Sequence, residues 1–262
     1  IARPAPSGAR AAAPAAGPGF LLACDIDGTL TGCARGAARF RDWLEQGDRI
    51  RGFAVATGRS VVEARRVLQD WQLPEPDTII ASTGTEIWRR GPRGYRLCEA
   101  YAALISADWD PEALAPFLEG DGLSRQPDYE QRRWKTGLFG SPAAARRVAD
   151  ALARAGRPAR VVPSHGRFVD ILPARAGKAA AIRFEAARRG LPDSACLVAG
   201  DSGNDADMIA AFARAVIPAN ALPELDALRC GYRSPMPHAA GVLDGIAHFR
   251  LDDSHRRERA HA

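Results

Sequence analysis

The sequence predicts an α/β fold, with a Rossmann-like core in which helices flank a parallel sheet and an inserted α+β cap domain. Two observations lead to this class. Short apolar runs that end in polar residues alternate with helical segments in the N-terminal and C-terminal parts of the chain, a pattern typical of parallel sheets covered by helices. Between residues 89 and 170 the pattern changes to several strand-like runs with one helical stretch, which indicates a separate small unit.

The core elements follow from apolar runs and helix-end signals. Residues 20–25 form an apolar run that ends in an acid, which suits a strand buried on both faces. Ser60 is a predicted N-cap because Glu63 follows three residues later, and Gly190 is expected to end the helix before it. The other expected elements are strands at 52–56, 77–81, 195–200 and 215–217 and helices at 60–71, 179–189, 205–212 and 239–249.

The middle of the chain supplies the cap. Its expected elements are strands at 134–139, 159–163 and 168–172 and a helix at 143–155. We therefore expect a core formed by residues 20–88 and 171–250 and a cap formed by residues 89–170. The Ala/Pro-rich residues 1–19 predict a flexible tail, and residues 251–262 predict a basic tail.

The composition excludes several classes of protein. Hydrophobic residues make up 46% and charged residues 26% of the 262 residues, which is close to the globular average and excludes wholesale disorder and fibrous folds. The sequence lacks an apolar stretch long enough for a membrane span. The formal net charge is +5, but more than half of it lies in residues 1–19 and 250–262. We therefore expect solvated tails and neither a nucleic-acid nor a membrane partner.

The five cysteines favour a reduced, cytoplasmic protein. Their number is odd, no CxxC pair occurs, and no group of Cys and His residues has the spacing of a zinc site.

The DIDGTL motif at 25–30 is the first candidate for chemistry. Two carboxylates two residues apart at a strand end, Asp25 and Asp27, can both face one cavity if the backbone turns at Gly28. One carboxylate can attack phosphorus as a nucleophile, and the other can exchange a proton with the leaving oxygen and with water. An Asx turn followed by glycine is the structural alternative for this motif.

The GDSGND motif at 200–205 is the second candidate. Two carboxylates, an amide and a hydroxyl lie on a glycine-containing loop between a predicted strand and a predicted helix. Oxygen ligands at this density suit Mg²⁺. Helix capping by acids is the alternative, but two acids with Asn and Ser exceed what a cap needs.

Thr57, Gly58 and Lys178 complete the predicted set. A hydroxyl and backbone N–H groups just before a helix form an anion site. The chain has 36 Lys and Arg residues in total, but only Lys135 and Lys178 are lysines. A lysine retained against this bias indicates a need for a compact point charge that the planar guanidinium cannot supply. Together the motifs describe hydrolysis of a phosphate ester.

These residues resemble the haloacid dehalogenase superfamily with an inserted cap of the IIB type, and within it the sucrose-phosphate phosphatases. The general motifs are DIDGTL at 25–30, Thr57, Lys178 and GDSGND at 200–205. Narrower likenesses are ATGRS at 56–60, GTEIW at 84–88, RWKTGLF at 133–139, VDILPARAGK at 169–178 and HAAGVLDGIAHF at 238–249. The likeness extends from about residue 20 to residue 249 and so covers nearly all of the globular part.

The resemblance implies a role for each matching position. Asp25 would be the nucleophile that forms an aspartyl-phosphate, and Asp27 would be the general acid and base. The implied phosphate-binding residues are Thr57, Gly58, Lys178 and Asn204. The implied Mg²⁺ ligands are Asp201, the Asp25 side chain and the Asp27 backbone carbonyl, with support from Asp205. The candidate sugar contacts are Glu86, Trp134 and Lys135.

The activity implied by the resemblance is Mg²⁺-dependent hydrolysis of a sugar-phosphate monoester, with sucrose 6-phosphate as the first expected substrate. A phosphatase for a related glycosyl-sugar or glycosyl-polyol phosphate is one alternative. The other alternative is a non-catalytic module that binds a sucrose-phosphate synthase, which the intact Asp25 and Asp27 pair disfavours. Because such modules occur fused to synthases and the chain starts with a Pro/Ala-rich segment, a synthase-like glycosyltransferase is the candidate partner.

Overall fold

The computed structural model describes residues 19–47, 50–120 and 122–251, and these ranges contain an eight-stranded sheet and a four-stranded sheet. The predicted tails at 1–19 and 251–262 lie outside the described residues, apart from residues 19 and 251. Among the described residues, no helix combines the length and the apolar character needed to cross a membrane.

Strands and helices alternate along most of the chain, which confirms the predicted α/β class. The strands are β1 Phe20–Cys24, β2 Ile50–Ala56, β3 Thr78–Ala81, β4 Glu86–Gly91, β5 Gly94–Leu97, β6 Ser124–Arg125, β7 Thr136–Phe139, β8 Ala159–Ser164, β9 Phe168–Pro173, β10 Cys196–Ala199, β11 Arg214–Ile217 and β12 Tyr232–Arg233. The helices are α1 Ala34–Gln46, α2 Val61–Asp70, α3 Glu99–Ser106, α4 Pro111–Leu114, α5 Pro142–Arg154, α6 Lys178–Arg188, α7 Ala206–Ala211 and α8 His238–His248.

The larger sheet has the strand order β12-β11-β10-β1-β2-β3-β4-β5. Strand β1 lies in its middle and pairs in parallel with β10 and β2. Leu21 packs into the hydrophobic cluster on one face of the sheet, whereas Phe20 and Leu22 pack into the cluster on the other face. Burial on both faces explains why β1 is apolar at every position, and it places Asp25 at the carboxyl end of a central strand.

Two predicted helix ends are present. The Ser60 side chain accepts a hydrogen bond from the Glu63 backbone N–H, and the Glu63 carboxylate accepts one from the Ser60 N–H, so the two residues form a capping box at the start of α2. Gly190 follows α6 in the left-handed conformation, with φ of 65°, where a side chain would add strain.

The expected cap boundary at residue 89 needs correction. Strand β4 pairs with β3, and β5 pairs with β4, so residues up to 97 belong to the larger sheet. Helix α3 also packs on this sheet through the buried side chains of Tyr101 and Ile105. Strands β4 and β5 at this end of the sheet are only partly buried, and for this reason they carry no apolar run that the sequence pattern could reveal.

The smaller sheet forms the cap, with the strand order β6-β7-β9-β8 and antiparallel pairing throughout. Helix α5 packs against it through Ala145, Val148 and Leu152. Strand β9 pairs with β8 as far as Pro173, which is beyond the expected end of the cap at residue 170. A three-residue turn at 165–167 joins β8 to β9, and its first two residues, His165 and Gly166, have positive φ, which is common in short hairpin turns.

The buried carboxylate of Glu185 connects α6 to strands β3 and β4 of the larger sheet. It accepts hydrogen bonds from the Arg89 Nε at 2.7 Å, from Arg189 and from the Thr78 hydroxyl. Burial favours a higher pKa for Glu185, but the hydrogen bonds from Arg89 and Arg189 outweigh it and hold the pKa below its usual value. The ionised carboxylate therefore stabilises the fold.

We expect Glu185→Gln to lower the free energy of unfolding by about 3 kcal/mol at neutral pH, because the change removes a buried charge and leaves partly buried guanidinium groups without their charged partner. Urea unfolding measures this difference. The matched control is Asp193→Asn, which removes a half-exposed ion pair with Arg183 and should change stability by less than about 1 kcal/mol.

The pH dependence of the same measurement has a defined sign. Because the folded-state pKa of Glu185 lies below the unfolded value, its contribution is present at neutral pH and decreases as the pH falls through the folded-state pKa. The gap between wild type and Glu185→Gln should therefore narrow in acid. A gap that stays constant or widens in acid would contradict this account.

Candidate active site

Three polar loops meet at the carboxyl edge of the larger sheet. Asp25 follows β1, Thr57 follows β2 and Asp201 lies just beyond β10. The register aligns Cys24 with Ala199 of β10 and with Val55 of β2, so the loops that follow these strands emerge side by side. This edge is where open α/β sheets bind their ligands.

Lys178 lies at the centre of these loops and is fully buried. Its Nζ donates hydrogen bonds to Asp25 Oδ1 at 2.7 Å, to Asp205 Oδ1 at 2.6 Å and to Asn204 Oδ1 at 2.9 Å. Burial alone would lower the pKa of Lys178, but Asp205 and Asp25 outweigh burial and raise it. The ammonium group therefore stays charged and uses all three of its N–H donors within the site.

The start of helix α6 places Lys178 by close backbone packing. Gly177 has a φ of 131°, and its N–H donates to the Gly84 carbonyl at 3.3 Å. A Cβ added at Gly84 would lie 2.1 Å from the carbonyl carbon of Gly177, so glycine is required at position 84. The two segments therefore approach closely enough to fix the first turn of α6 against the sheet.

Three buried carboxylates form a compact cluster around this ammonium group. Oxygen atoms of Asp25, Asp201 and Asp205 all lie within 4.8 Å of one another. Asp201 Oδ1 accepts a hydrogen bond from the Thr29 hydroxyl at 2.6 Å, and Asp205 Oδ2 accepts from two backbone N–H groups at 3.0 Å. These hydrogen bonds orient the carboxylates and leave other oxygen lone pairs directed towards the cluster.

The carboxylates of the cluster carry more negative charge than the Lys178 ammonium group offsets. Burial raises the pKa of Asp25 despite the opposing charge of Lys178. Burial, followed by repulsion from Asp205, raises the pKa of Asp201 to about 6. One ammonium group offsets only one of three carboxylate charges, and hard oxygen donors are what divalent cations such as Mg²⁺ prefer. The donor set of Asp25, Asp201 and Asp205 therefore fits a metal ion.

Glycine at position 28 brings the first loop against the third. Gly28 has a φ of 78°, and a Cβ at this position would lie 2.3 Å from Asp201 Oδ2. The turn after β1 can therefore reach the carboxylate cluster only without a side chain at position 28. This is a stronger reason for the glycine than the turn alone.

Asp27 faces the same cavity as Asp25 but has a different partner. The Arg59 Nε donates to Asp27 Oδ2 at 2.7 Å and its second guanidinium nitrogen donates to Oδ1 at 2.8 Å. This hydrogen bonding raises the pKa of Arg59, and the bidentate pair is the geometry that guanidinium and carboxylate groups favour. The sequence motifs predicted Thr57 and Gly58 of this segment as site residues, but not Arg59.

The cluster opens into a cavity of about 600 Å³ between core and cap. The core contributes a set of loop residues to its wall, and the cap contributes aromatic, amide and charged side chains. The core residues include Asp25, Asp27, Thr57, Gly58, Arg59 and Asn204. The cap residues include Gln126, Lys135, Phe139, His165, Arg167, Phe168 and Asp170.

Of the three expected sugar contacts, one lines this cavity and two do not. Lys135 lines it, with Nζ 3.6 Å from Asp170 Oδ1. Trp134 is buried in the core cluster, where its Nε1 donates to the Ser106 hydroxyl at 2.8 Å. Glu86 accepts a hydrogen bond from Trp88 at 2.7 Å on strand β4. Trp134 lies in the tight turn between the paired residues Arg132 and Lys135, and this turn directs its side chain into the core while Lys135 lines the cavity.

Comparisons with known proteins agree on one family. Residues 18–250 match the family model described as sucrose-6F-phosphate phosphohydrolase. A mannosylfructose-phosphate phosphatase from Agrobacterium fabrum is 34% identical over 245 residues, which covers 88% of this chain and 97% of that protein. Sucrose-phosphatase 1 of Nicotiana tabacum is 28% identical over 216 residues, and the match covers 75% of this chain but only 50% of the tobacco protein.

Solved structures agree with these sequence matches. The sucrose-phosphatase of Synechocystis sp. PCC6803, solved in complex with sucrose and phosphate, has a TM-score of 0.82 at 31% identity and covers 89% of this chain and 98% of that chain. A subclass IIB sugar phosphatase of the haloacid dehalogenase superfamily has a TM-score of 0.62 at 16% identity, covers 88% of this chain and 99% of that chain, and shares the fold.

We expect Asp201→Asn to weaken the binding of a divalent cation by at least about tenfold, because it removes a buried charge from the donor set. Titration with Mn²⁺, followed by the electron paramagnetic resonance signal of the free ion, measures this affinity without turnover. Asp193→Asn removes an equal charge from a half-exposed surface pair and should leave the affinity unchanged. Equal Mn²⁺ affinity in wild type and Asp201→Asn would contradict the assignment of the cluster.

Proposed function

The chain belongs to the sucrose-6F-phosphate phosphohydrolase family, a group of phosphoric monoester hydrolases with the haloacid dehalogenase fold, and from this premise we propose that it is a Mg²⁺-dependent phosphatase that converts sucrose 6-phosphate to sucrose and phosphate. The observation that carries the proposal is the buried Asp25 carboxylate, hydrogen-bonded to Lys178 at the base of the cavity under the cap.

The reaction starts with attack of an Asp25 carboxylate oxygen on phosphorus. The bond from phosphorus to the sugar oxygen breaks, and Asp27 donates a proton to that oxygen as the sugar leaves. Asp27 then takes a proton from water, the water oxygen attacks phosphorus, and the bond to Asp25 breaks to release phosphate. Both carboxylates return to their starting state, so the cycle consumes one water per ester.

Arg59 bears on the acid step. In this structure its guanidinium donates to both oxygens of Asp27. For Asp27 to serve the leaving oxygen, one of these hydrogen bonds has to be exchanged for a contact with that oxygen.

The phosphoryl group is bound by positive charge and by hydrogen-bond donors at the sheet edge. The Thr57 hydroxyl and the Gly58 N–H lie just before helix α2, where the helix N-terminus favours an anion. Lys178 supplies a charge beside Asp25, and Asn204 shares that ammonium group at 2.9 Å, which places its amide next to the nucleophile.

Mg²⁺ would be held by the side chains of Asp25, Asp201 and Asp205, together with the Asp27 carbonyl that family resemblance implies. When bound, it supplies positive charge that offsets the phosphoryl oxygens and the excess carboxylate charge of the cluster. The described cluster of three buried acids supports this assignment.

The cap wall suits a sugar. The rings of Phe139 and Phe168 lie 5.8 Å apart, and His165 meets Phe168 edge-on at 5.8 Å. An aromatic surface in a cavity complements the apolar C–H face of a pyranose ring. Lys135 and Asp170, which also line the cavity, offer a donor and an acceptor for hydroxyl groups. We propose that this wall binds the glycosyl unit and that the closed cap excludes water from it.

A mannosylfructose phosphate is the second candidate substrate. The observation in its favour is the Agrobacterium relative, which matches at 34% identity over 97% of its own length. Both candidates are disaccharide phosphates, so the chemistry at Asp25 is the same and the difference lies in the cap wall. The intact catalytic set weighs against a non-catalytic module that only docks a synthase, although a synthase-like glycosyltransferase stays a candidate partner.

We expect phosphate release with Mg²⁺ to be fastest, by kcat/KM, for sucrose 6-phosphate in a panel that also contains mannosylfructose phosphate, a glycosyl-polyol phosphate and fructose 6-phosphate. The physical reason is that the glycosyl unit supplies binding energy at the cap wall that a monosaccharide phosphate lacks. Asp25→Asn is the control, and it should release no phosphate above background.

The other outcomes are distinct. Preference for mannosylfructose phosphate with sucrose 6-phosphate ignored would retain the mechanism and replace the substrate. No phosphate release from any member of the panel would contradict the proposed activity and favour the binding module. Full activity in Asp25→Asn would contradict the mechanism.

A further inference from the structure

We propose that Glu224 is a positioning residue. Its carboxylate binds both the cap turn (residues 165–167) and the acidic loop (residues 200–205), and it thereby sets the position of the cap wall of the cavity relative to Asp25. Glu224 lies outside the catalytic motifs, in a short turn at Pro223–Leu225 between β11 and β12. The kinetic part of this inference rests on the proposed function, whereas its structural part does not.

The Glu224 carboxylate joins two backbone segments from different parts of the fold. Its Oε1 accepts a hydrogen bond from the Gly166 N–H at 2.6 Å, and its Oε2 accepts one from the Gly203 N–H at 2.7 Å. Gly166 belongs to the turn between β8 and β9 of the cap, and Gly203 belongs to the loop that carries Asp201 and Asp205. Hydrogen bonds to an ionised acceptor are about twice as strong as neutral ones.

The packing around Gly203 restricts the movement of the Glu224 carboxylate, which forms a bridge between the Gly166 and Gly203 N–H groups. A Cβ at Gly203 would lie 2.6 Å from Glu224 Oε2 and 2.6 Å from the Pro163 carbonyl oxygen. The end of strand β8 is therefore in direct contact with the acidic loop, and the Glu224 carboxylate occupies the same crowded space. The core side of the bridge is also fixed, because the Leu222 N–H donates to the Asp201 carbonyl at 2.7 Å and Leu225 is buried.

The bridge through Glu224 affects the shape of the cavity because the cap turn forms part of the cavity wall. Ser164 and His165 precede Gly166, Arg167 and Phe168 follow it, and all four line the cavity. A displacement of this turn moves the aromatic wall relative to Asp25. Glu224 itself does not line this cavity, so it acts through the turn.

Other contacts hold the cap at different points. Arg132 of the cap lies 3.5 Å from Glu63 of α2, Arg160 of β8 lies 3.1 Å from Asp207, and the Thr83 hydroxyl donates to Asp170 at 2.7 Å. These contacts leave the cap attached when Glu224 is changed. Loss of Glu224 should therefore release the turn without unfolding the cap.

The kinetic test compares two substrates in Glu224→Gln and Glu224→Ala. Glutamine offers one acceptor oxygen and turns an NH₂ group towards a backbone N–H, so it loses one of the two hydrogen bonds. We expect kcat/KM for sucrose 6-phosphate to fall about tenfold in Glu224→Gln and further in Glu224→Ala, mainly through KM. p-Nitrophenyl phosphate has no glycosyl unit, so its kcat/KM should fall by less than about threefold.

The matched control is Asp226→Asn, two residues away. Asp226 lies 3.8 Å from Arg233 in an exposed pair, and its substitution should leave both substrates unchanged. An equal loss for both substrates in the Glu224 variants would indicate a merely structural role and overturn the proposal.

A second readout needs no turnover. Spin labels on the exposed Cys33 of the core and on an introduced Ala153→Cys in α5 of the cap, in a Cys230→Ser background, report the distance between cap and core by pulsed electron paramagnetic resonance. We expect a broader and longer distance distribution in Glu224→Ala than in wild type or Asp226→Asn. If Glu224→Ala does not fold, Glu224→Gln serves for the same comparison.

The outcomes separate this inference from the proposed function. If the wild type hydrolyses p-nitrophenyl phosphate but ignores every disaccharide phosphate, the proposed substrate is wrong and the distance distributions decide the role of Glu224. Distributions that are identical in wild type and in a folded Glu224 variant would overturn the proposal, whatever the substrate.

Discussion

The hydrogen-bonded group of Lys178 with Asp25 and Asp205 is the interaction on which the rest of the site depends. A charged ammonium group is fully buried here, at 2.7 Å and 2.6 Å from two carboxylates, and such an arrangement persists only where every donor has an acceptor. The fold meets this requirement by bringing a helix start to the carboxyl ends of β1 and β10. The close approach of Gly84 to Gly177 and of Gly28 to Asp201 is the backbone geometry that allows it.

The same arrangement explains why a cap is needed above it. Burial strengthens the attraction between Lys178 and Asp25, but it also leaves the carboxylate cluster short of positive charge. A divalent cation would supply the missing positive charge, and the cap forms the other wall of the cavity above it. The hydrogen bonds of Glu224 connect the acidic loop to the cap turn, whose residues line the cavity.

Much of the core could be predicted from the sequence because its signals are local. Strand β1 is apolar at every position, Ser60 and Glu63 form a capping box, and Gly190 ends α6. The hairpin of β4 and β5 was not predicted because its partly buried strands have no apolar run, and for this reason the cap was expected to start too early in the chain. Helix α1 was also missed, since its buried side is short and contains only Gly36, Ala37 and Phe40.

For the site, the sequence predicted the residues on the three loops but not their supporting contacts. Asp25, Lys178 and the acids of the third loop carry chemistry in their residue types and in their order along the chain. Thr29, Arg59 and Glu224 form hydrogen bonds with partners that lie 172, 32 and 58 residues away in the sequence. The partner of Glu224 is a backbone N–H group. Contacts between such distant residues leave no recognisable pattern in the sequence. Trp134 lies in the core cluster and does not line the cavity, because residue type alone does not give the direction of a side chain.

The central claim is that Asp25 is the covalent nucleophile, and trapping the phosphorylated enzyme tests it most directly. In Asp27→Asn the residue that activates water is missing, so the aspartyl-phosphate should accumulate after mixing with labelled p-nitrophenyl phosphate, whose leaving group needs no proton, and it should survive an acid quench. The account predicts that the label lies on the peptide that contains residue 25 and disappears in Asp25→Asn. A label on another residue, or hydrolysis without any enzyme-bound phosphoryl group under single-turnover conditions, would contradict it.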